Sequence, residues 1–208
     1  GILDFSFRLD GLAAFFFGLI ALIALVSSLY GLSYQKHFYG TYSLENLGFF
    51  YNGLIASLLL VTLANQALFF LLVWECMSLT SYFLVIYEYR KKENIRAGFL
   101  YFLMTHIGTL FITLAFFLAY QATGSFDFDA WRASAGTIDP MLQTAILACV
   151  LIGFGIKAGI IPVHIWLPGA HSAAPTHVSA LLSGVMIKTA IFMFIRFFFE
   201  FFPGAPLE

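Results

Sequence analysis

The sequence predicts an all-α membrane protein of about six transmembrane helices, with a broken fifth span. Three observations carry this reading. Only 10% of the 208 residues are charged while 61% are hydrophobic, against roughly 25% charged in a soluble domain. Long charge-free stretches recur along the chain, at 11–35, 46–74, 97–126, 140–156 and 158–187. The fifth span carries glycine and proline where a straight helix would exclude them.

A bilayer core about 30 Å thick needs about 20 apolar residues at about 1.5 Å each. On that measure the spans fall at about 10–34, 47–64, 67–88, 96–120, 142–161 and 176–201, forming one transmembrane domain. A closed barrel would need alternating polar residues, which these runs lack. The net charge of −1 leaves no basic face for nucleic acid, so the expected surroundings are the lipid bilayer and other proteins. The chain opens on Gly1 rather than Met, as expected of a fragment.

The loop 88–96 holds Arg90, Lys91, Lys92 and Arg96, four of the ten basic residues. The positive-inside rule places it in the cytoplasm. The loop 121–141 carries Asp127, Asp129 and Asp139 against Arg132 alone and is expected outside. Tyr34, Tyr39, Tyr42, Tyr87, Tyr89 and Trp131 fall near the interfaces, where amphipathic rings are favoured.

In the fifth span Gly153, Gly155 and Gly159 precede Pro162 and Pro168, and Pro175 closes the segment. Backbone groups freed by proline are tolerated in lipid only when buried in protein or lining a wet cavity. The pattern predicts two half-helices, about 142–158 and 163–171, with a simple proline kink as the alternative.

Three charges lie at mid-membrane depth: Glu75 in the third span, Lys157 beside the break and Lys188 in the sixth span. Each costs about 2.5–3.5 kcal/mol on insertion scales, so each is expected to face the bundle with a partner or water. Desolvation disfavours a charged form and pairing restores it. A change in the Glu75–Lys157 separation would therefore alter the proton affinity of both, as a proton pump requires. A static ion pair locking helices together is the alternative.

His106, His164, His171 and His177 add groups that titrate near neutral pH, suited to a proton relay or to structural hydrogen bonds. His164, His171 and His177 lie close in sequence, but no nearby Cys or carboxylate supplies the fourth ligand that zinc normally takes, so no metal is expected. Thr105, Thr109 and Thr113 share one helix face and read as packing glue, with water-wire lining as the alternative. Cys76 and Cys149 lie in separate spans, read as structural thiols, and cannot ligate a cluster.

The run Gly-Phe-Gly-Ile-Lys-Ala-Gly-Ile-Ile-Pro-Val-His-Ile-Trp-Leu-Pro, 153–168, resembles the broken-helix signature of the antiporter-like subunits of complex I, Mrp antiporters and membrane-bound hydrogenases. The run 170–191, Ala-His-Ser-Ala-Ala-Pro-Thr-His-Val-Ser-Ala-Leu-Leu-Ser-Gly-Val-Met-Ile-Lys-Thr-Ala-Ile, is similar to the formate hydrogenlyase and hydrogenase-4 branch. Glu93–Gly98, Met104–Thr109 and Gly124–Phe128 extend the likeness to nearly the whole chain.

The resemblance implies that Glu75 is the family's essential glutamate, Lys157 its broken-helix lysine and Lys188 the lysine of the following helix. It implies a fold of about fourteen helices with two inverted repeats, of which this chain matches one repeat and the helix before it. The implied function is proton or sodium translocation within a hydrogenase or complex I-like assembly of a bacterial or archaeal cell membrane. Iron–sulfur clusters and nickel–iron would belong to partner subunits in a soluble redox arm, with no cofactor in this chain. A stand-alone cation/proton antiporter and a passive membrane anchor are the other readings.

Overall fold

The computed structural model describes residues 4–203. Helix makes up 78% of the described residues. Among the described residues β-structure is limited to two isolated bridges, Phe7 with Ala64 and Gln66 with Asp127. The helices are α1 (Gly11–Tyr34), α2 (Leu44–Leu63), α3 (Ala67–Val85), α4 (Lys92–Thr123), α5 (Phe128–Ala133), α6 (Pro140–Ala158) and α7 (Leu167–Ala173). The last, α8 (Thr176–Phe201), is interrupted by π-helical turns at Leu182–Met186 and Arg196–Phe201. Six of these helices are long and apolar enough to cross a membrane, as expected: α1 with its 3-10 extension to Phe38, α2, α3, α4, α6 and α8.

Local chemistry sets the helix starts. Asp10, Ser43, Gln66 and Asp139 each turn a side-chain oxygen onto a backbone N–H of the first turn of α1, α2, α3 and α6. Such caps satisfy donors that have no partner within the helix. Pro140 follows its cap as the first residue of α6, where its missing N–H costs nothing.

The two ends of the bundle differ in character. At one end Phe38 packs edge-on to Tyr87 at 5.1 Å, and Arg90 lies over Tyr42 at 5.7 Å. Asn94 Nδ2 at that end donates to the Ala173 carbonyl at 3.3 Å. This end therefore gathers the basic loop, the start of α4 and the end of α7. The opposite end is closed by main-chain bonds, from Arg8 N–H to the Leu63 carbonyl and from Ala67 N–H to the Phe126 carbonyl. A cluster of ion pairs covers it. Arg196, only 4% exposed, makes two bonds to Asp10, at 2.6 and 2.7 Å, and one to Glu200 at 2.5 Å. Arg132 joins Glu200 to Asp129, and Arg8 also reaches Asp129. The cluster ties the start of α1 and α5 to the end of α8.

The fifth span breaks where glycine and proline place it, but the break is longer than expected. Helical structure stops at Ala158 and resumes at Leu167, with residues 159–166 outside any helix. Gly159 adopts φ +70°, a left-handed conformation that glycine takes without penalty. The Ile160 N–H bonds back to the Gly155 carbonyl and Gly159 N–H to that of Ile156, closing the helix end. The Trp166 indole N–H also donates to the Ile156 carbonyl at 2.8 Å, so the second half-helix is pinned to the end of the first.

A Glu75–Lys157 pair would require α6 to pack on α3, the helix that carries Glu75. Instead α6 packs chiefly against α4. The reason is a glycine contact. A Cβ built on Gly153 would lie 2.8 Å from the Gly108 carbonyl oxygen and 2.9 Å from the Ile112 nitrogen, so the two backbones touch. Without a hydrophobic drive between helices in lipid, such small-residue contacts decide which helices pair.

Candidate ion-translocation site

Lys157 lies in the last turn of α6, 2% exposed, beside the break. Its ammonium donates to Ser78 Oγ on α3 and to the Tyr101 hydroxyl on α4, both at 3.0 Å. It also lies over the rings of Trp74 at 5.7 Å and Tyr101 at 5.2 Å, where the ring quadrupole attracts a cation. The Tyr101 hydroxyl lies 2.6 Å from Ser81 Oγ, which also reaches the Met77 and Ser78 carbonyls at 2.6 and 2.9 Å. Tyr101 thus presents a lone pair to Lys157 and shares a hydrogen bond with Ser81. A buried hydrogen-bonded chain of this kind can hold or hand on a proton.

Glu75 does not pair with Lys157. Its Oε2 lies 3.2 Å from His106 Nε2, and among the described residues no carboxylate comes within 4.0 Å of Lys157 Nζ. The expected pair is replaced by two adjoining centres, Glu75 with His106 across α3 and α4, and Lys157 with two hydroxyls. The physical cause is the intrusion of α4, whose Tyr101 and His106 meet the two charges.

Lys188 is half-buried, and its ammonium folds back onto the Ser183 carbonyl of its own helix. The structure brings it into contact with neither Glu75 nor Lys157. His164, within the break, is half-buried with no partner on Nδ1. His171 Nδ1 sits 3.4 Å from Ser179 Oγ across the turn between α7 and α8. His177 is 1% exposed with neither ring nitrogen bonded, packed between Tyr34 and Tyr51. Thr105 and Thr109 bond carbonyls of their own helix.

Sequence reasoning missed Ser78, Ser81, Trp74 and Tyr101. The signal was present in part: Trp74, Ser78 and Ser81 recur at helical spacing beside Glu75 on one face of α3. Tyr101 carried no signal beyond its place in an apolar span.

A helical bundle with a charged group buried at a helix break defines a class of polytopic ion-handling membrane proteins. The family model described as NADH:quinone oxidoreductase/Mrp antiporter, TM, matches residues 64–206, and the chain belongs to that family.

The chain is 42% identical over 193 residues to hydrogenase-4 component B of Escherichia coli, covering 93% of this chain and 28% of that protein. It is 34% identical over 202 residues to a putative antiporter subunit of Staphylococcus saprophyticus, covering 94% of this chain and 24% of that one. NADH-quinone oxidoreductase subunit M of Pseudomonas aeruginosa is 31% identical over 209 residues, covering 96% and 40%. The chain thus spans well under half the length of these relatives. Among solved structures, the archaeal membrane-bound sulfane sulfur reductase superposes with a TM-score of 0.81 at 30% identity, covering 93% of this chain and 30% of that one. Respiratory complex I from Thermus thermophilus superposes with a TM-score of 0.73 at 23% identity, covering 90% and 40%, which shows a shared fold.

Proposed function

We propose that this chain forms one ion-conducting half of an antiporter-like subunit that moves protons, or sodium ions, across a cell membrane within a hydrogenase or complex I-like assembly. The observation that carries this reading is Lys157, buried beside a helix break and held by neutral hydroxyls rather than by a carboxylate. A lysine kept only for structure would be expected to have a carboxylate partner. Glu75, Lys188, His164, His171, His177 and His106 are the further groups through which a proton would pass. The redox step belongs to partner subunits that carry iron–sulfur clusters and nickel–iron, in keeping with the hydrogenase-4 and complex I relatives. The end of the bundle with Arg90, Lys91, Lys92 and Arg96 faces the cytoplasm in this reading. The similarity to a putative antiporter subunit supports a second reading, cation/proton exchange without redox partners.

The test is Lys157→Ala in the intact complex. Proton uptake into vesicles should be lost while redox activity and assembly persist. Uptake at the wild-type level would reduce the chain to a passive membrane anchor. Purification without redox subunits would favour the antiporter reading.

A further inference from the structure

The contact between Glu75 and His106 cannot form unless a proton lies in it. His106 Nδ1 is 2.8 Å from the Phe102 carbonyl oxygen, which can only accept, so Nδ1 carries a hydrogen. A neutral imidazole has one N–H, which leaves Nε2 as a bare acceptor. Nε2 nevertheless faces a carboxylate oxygen at 3.2 Å. Two acceptors at that distance repel unless a proton sits on one of them. Either the imidazole is doubly protonated beside an ionised Glu75, or Glu75 is neutral and donates to Nε2.

We infer that Glu75 and His106 form a single proton-sharing pair, and that His106 carries the proton that Glu75 exchanges. The inference rests on the ion-translocation reading and adds the identity of the group that works with Glu75. The surroundings favour sharing. The imidazole is held against the Phe102 ring at 3.9 Å between centroids, which fixes its orientation. The other Glu75 oxygen, Oε1, is buried with no hydrogen-bond partner, so the carboxyl group leans on His106 alone. Titratable groups around the pair include Lys157 of α6, Tyr101 of α4, and Cys76 and Tyr82 of α3, the last against the Phe102 ring; Lys157 and Tyr101 feel the charge on Glu75. A proton leaving the pair therefore changes the field at the Lys157–Tyr101 centre with no direct contact between the two centres.

Coupled groups of this kind titrate as a unit rather than singly. Infrared difference spectroscopy of the intact complex through a pH series tests this, with the Glu75 carboxyl band assigned by its loss in Glu75→Gln. In the wild-type complex the Glu75 and imidazole bands should change in the same pH steps. In His106→Gln, whose amide still offers an N–H to the carboxylate, the Glu75 midpoint should move by at least about one pH unit. Proton uptake should fall about tenfold with redox activity retained, whereas a purely structural bond would leave it intact. Independent titration of the two wild-type bands, or an unmoved Glu75 midpoint in His106→Gln, overturns the inference. The wild-type measurement stands even where the variant fails to assemble, and it is independent of the fate of Lys157→Ala.

Discussion

The Lys157 ammonium and the Tyr101 hydroxyl lie 3.0 Å apart, joining the broken helix to α4 at a point where both side chains are fully enclosed. This bond places Tyr101 between the lysine and Ser81. Tyr101→Phe keeps the ring and removes only the oxygen. Proton uptake by the complex should fall about tenfold, the effect of about 1.4 kcal/mol on a barrier. The variant should assemble, and wild-type uptake would exclude Tyr101 from the path.

The glycine contact between α4 and α6 sets the position of Lys157. Gly153→Ala places a methyl group 2.7–2.9 Å from Ile112 and the Gly108 carbonyl oxygen, two of the three contacts being backbone that cannot step aside. Overpacking of this kind costs about 1–3 kcal/mol. Thermal denaturation of the purified complex should show the loss, and proton uptake should drop because α6 and its lysine are displaced. Gly18, inside α1 with open space around it, is the control; Gly18→Ala should lower neither measurement.

The Asp10–Arg196 pair gives a pH dependence with a definite sign. Burial pushes the Asp10 carboxyl up, but hydrogen bonds from Arg196 and the Ala13 N–H, with the charges of Arg196 and Arg132, outweigh it and hold the pKa at about 2. An unfolded aspartate titrates near about 3.9. The folded group binds its proton less readily, so its contribution to stability is complete above about pH 4 and is lost as the pH falls toward about 2. Asp10→Asn should cost about 1.5–3 kcal/mol near neutral pH and flatten the acid limb of the stability curve. An unchanged acid limb would count against this assignment.

The basic end of the bundle should be cytoplasmic. A single cysteine placed at Lys92, in a chain whose own Cys76 and Cys149 are replaced, should react with an impermeant reagent only from the cytoplasmic face. Labelling from the opposite face would invert the topology.

The spans and the break were legible because hydropathy and proline report position along a helix axis. The Glu75 partner was not, because the angle at which a residue faces its neighbours depends on which helices touch. Gly108 and Gly153 make that choice, and their meaning appears only once α4 and α6 are side by side. The Arg196–Asp10 pair joins residues 186 apart, and nothing in the local pattern of either pointed to the other. His106 was visible as a titratable group, but its tautomer follows from the Phe102 carbonyl one turn earlier.

The end of α6 at Ala158 has an electrostatic consequence. The carbonyl end of a helix carries aligned dipoles that amount to about half a negative charge. Here that pole falls inside the bundle, with Lys157 in the final turn. The fold thereby supplies part of a counter-ion made of backbone, which no protonation can neutralise. A cation arriving at this place meets a standing attraction whose strength follows the geometry of the helix end, and so follows any movement of the two half-helices.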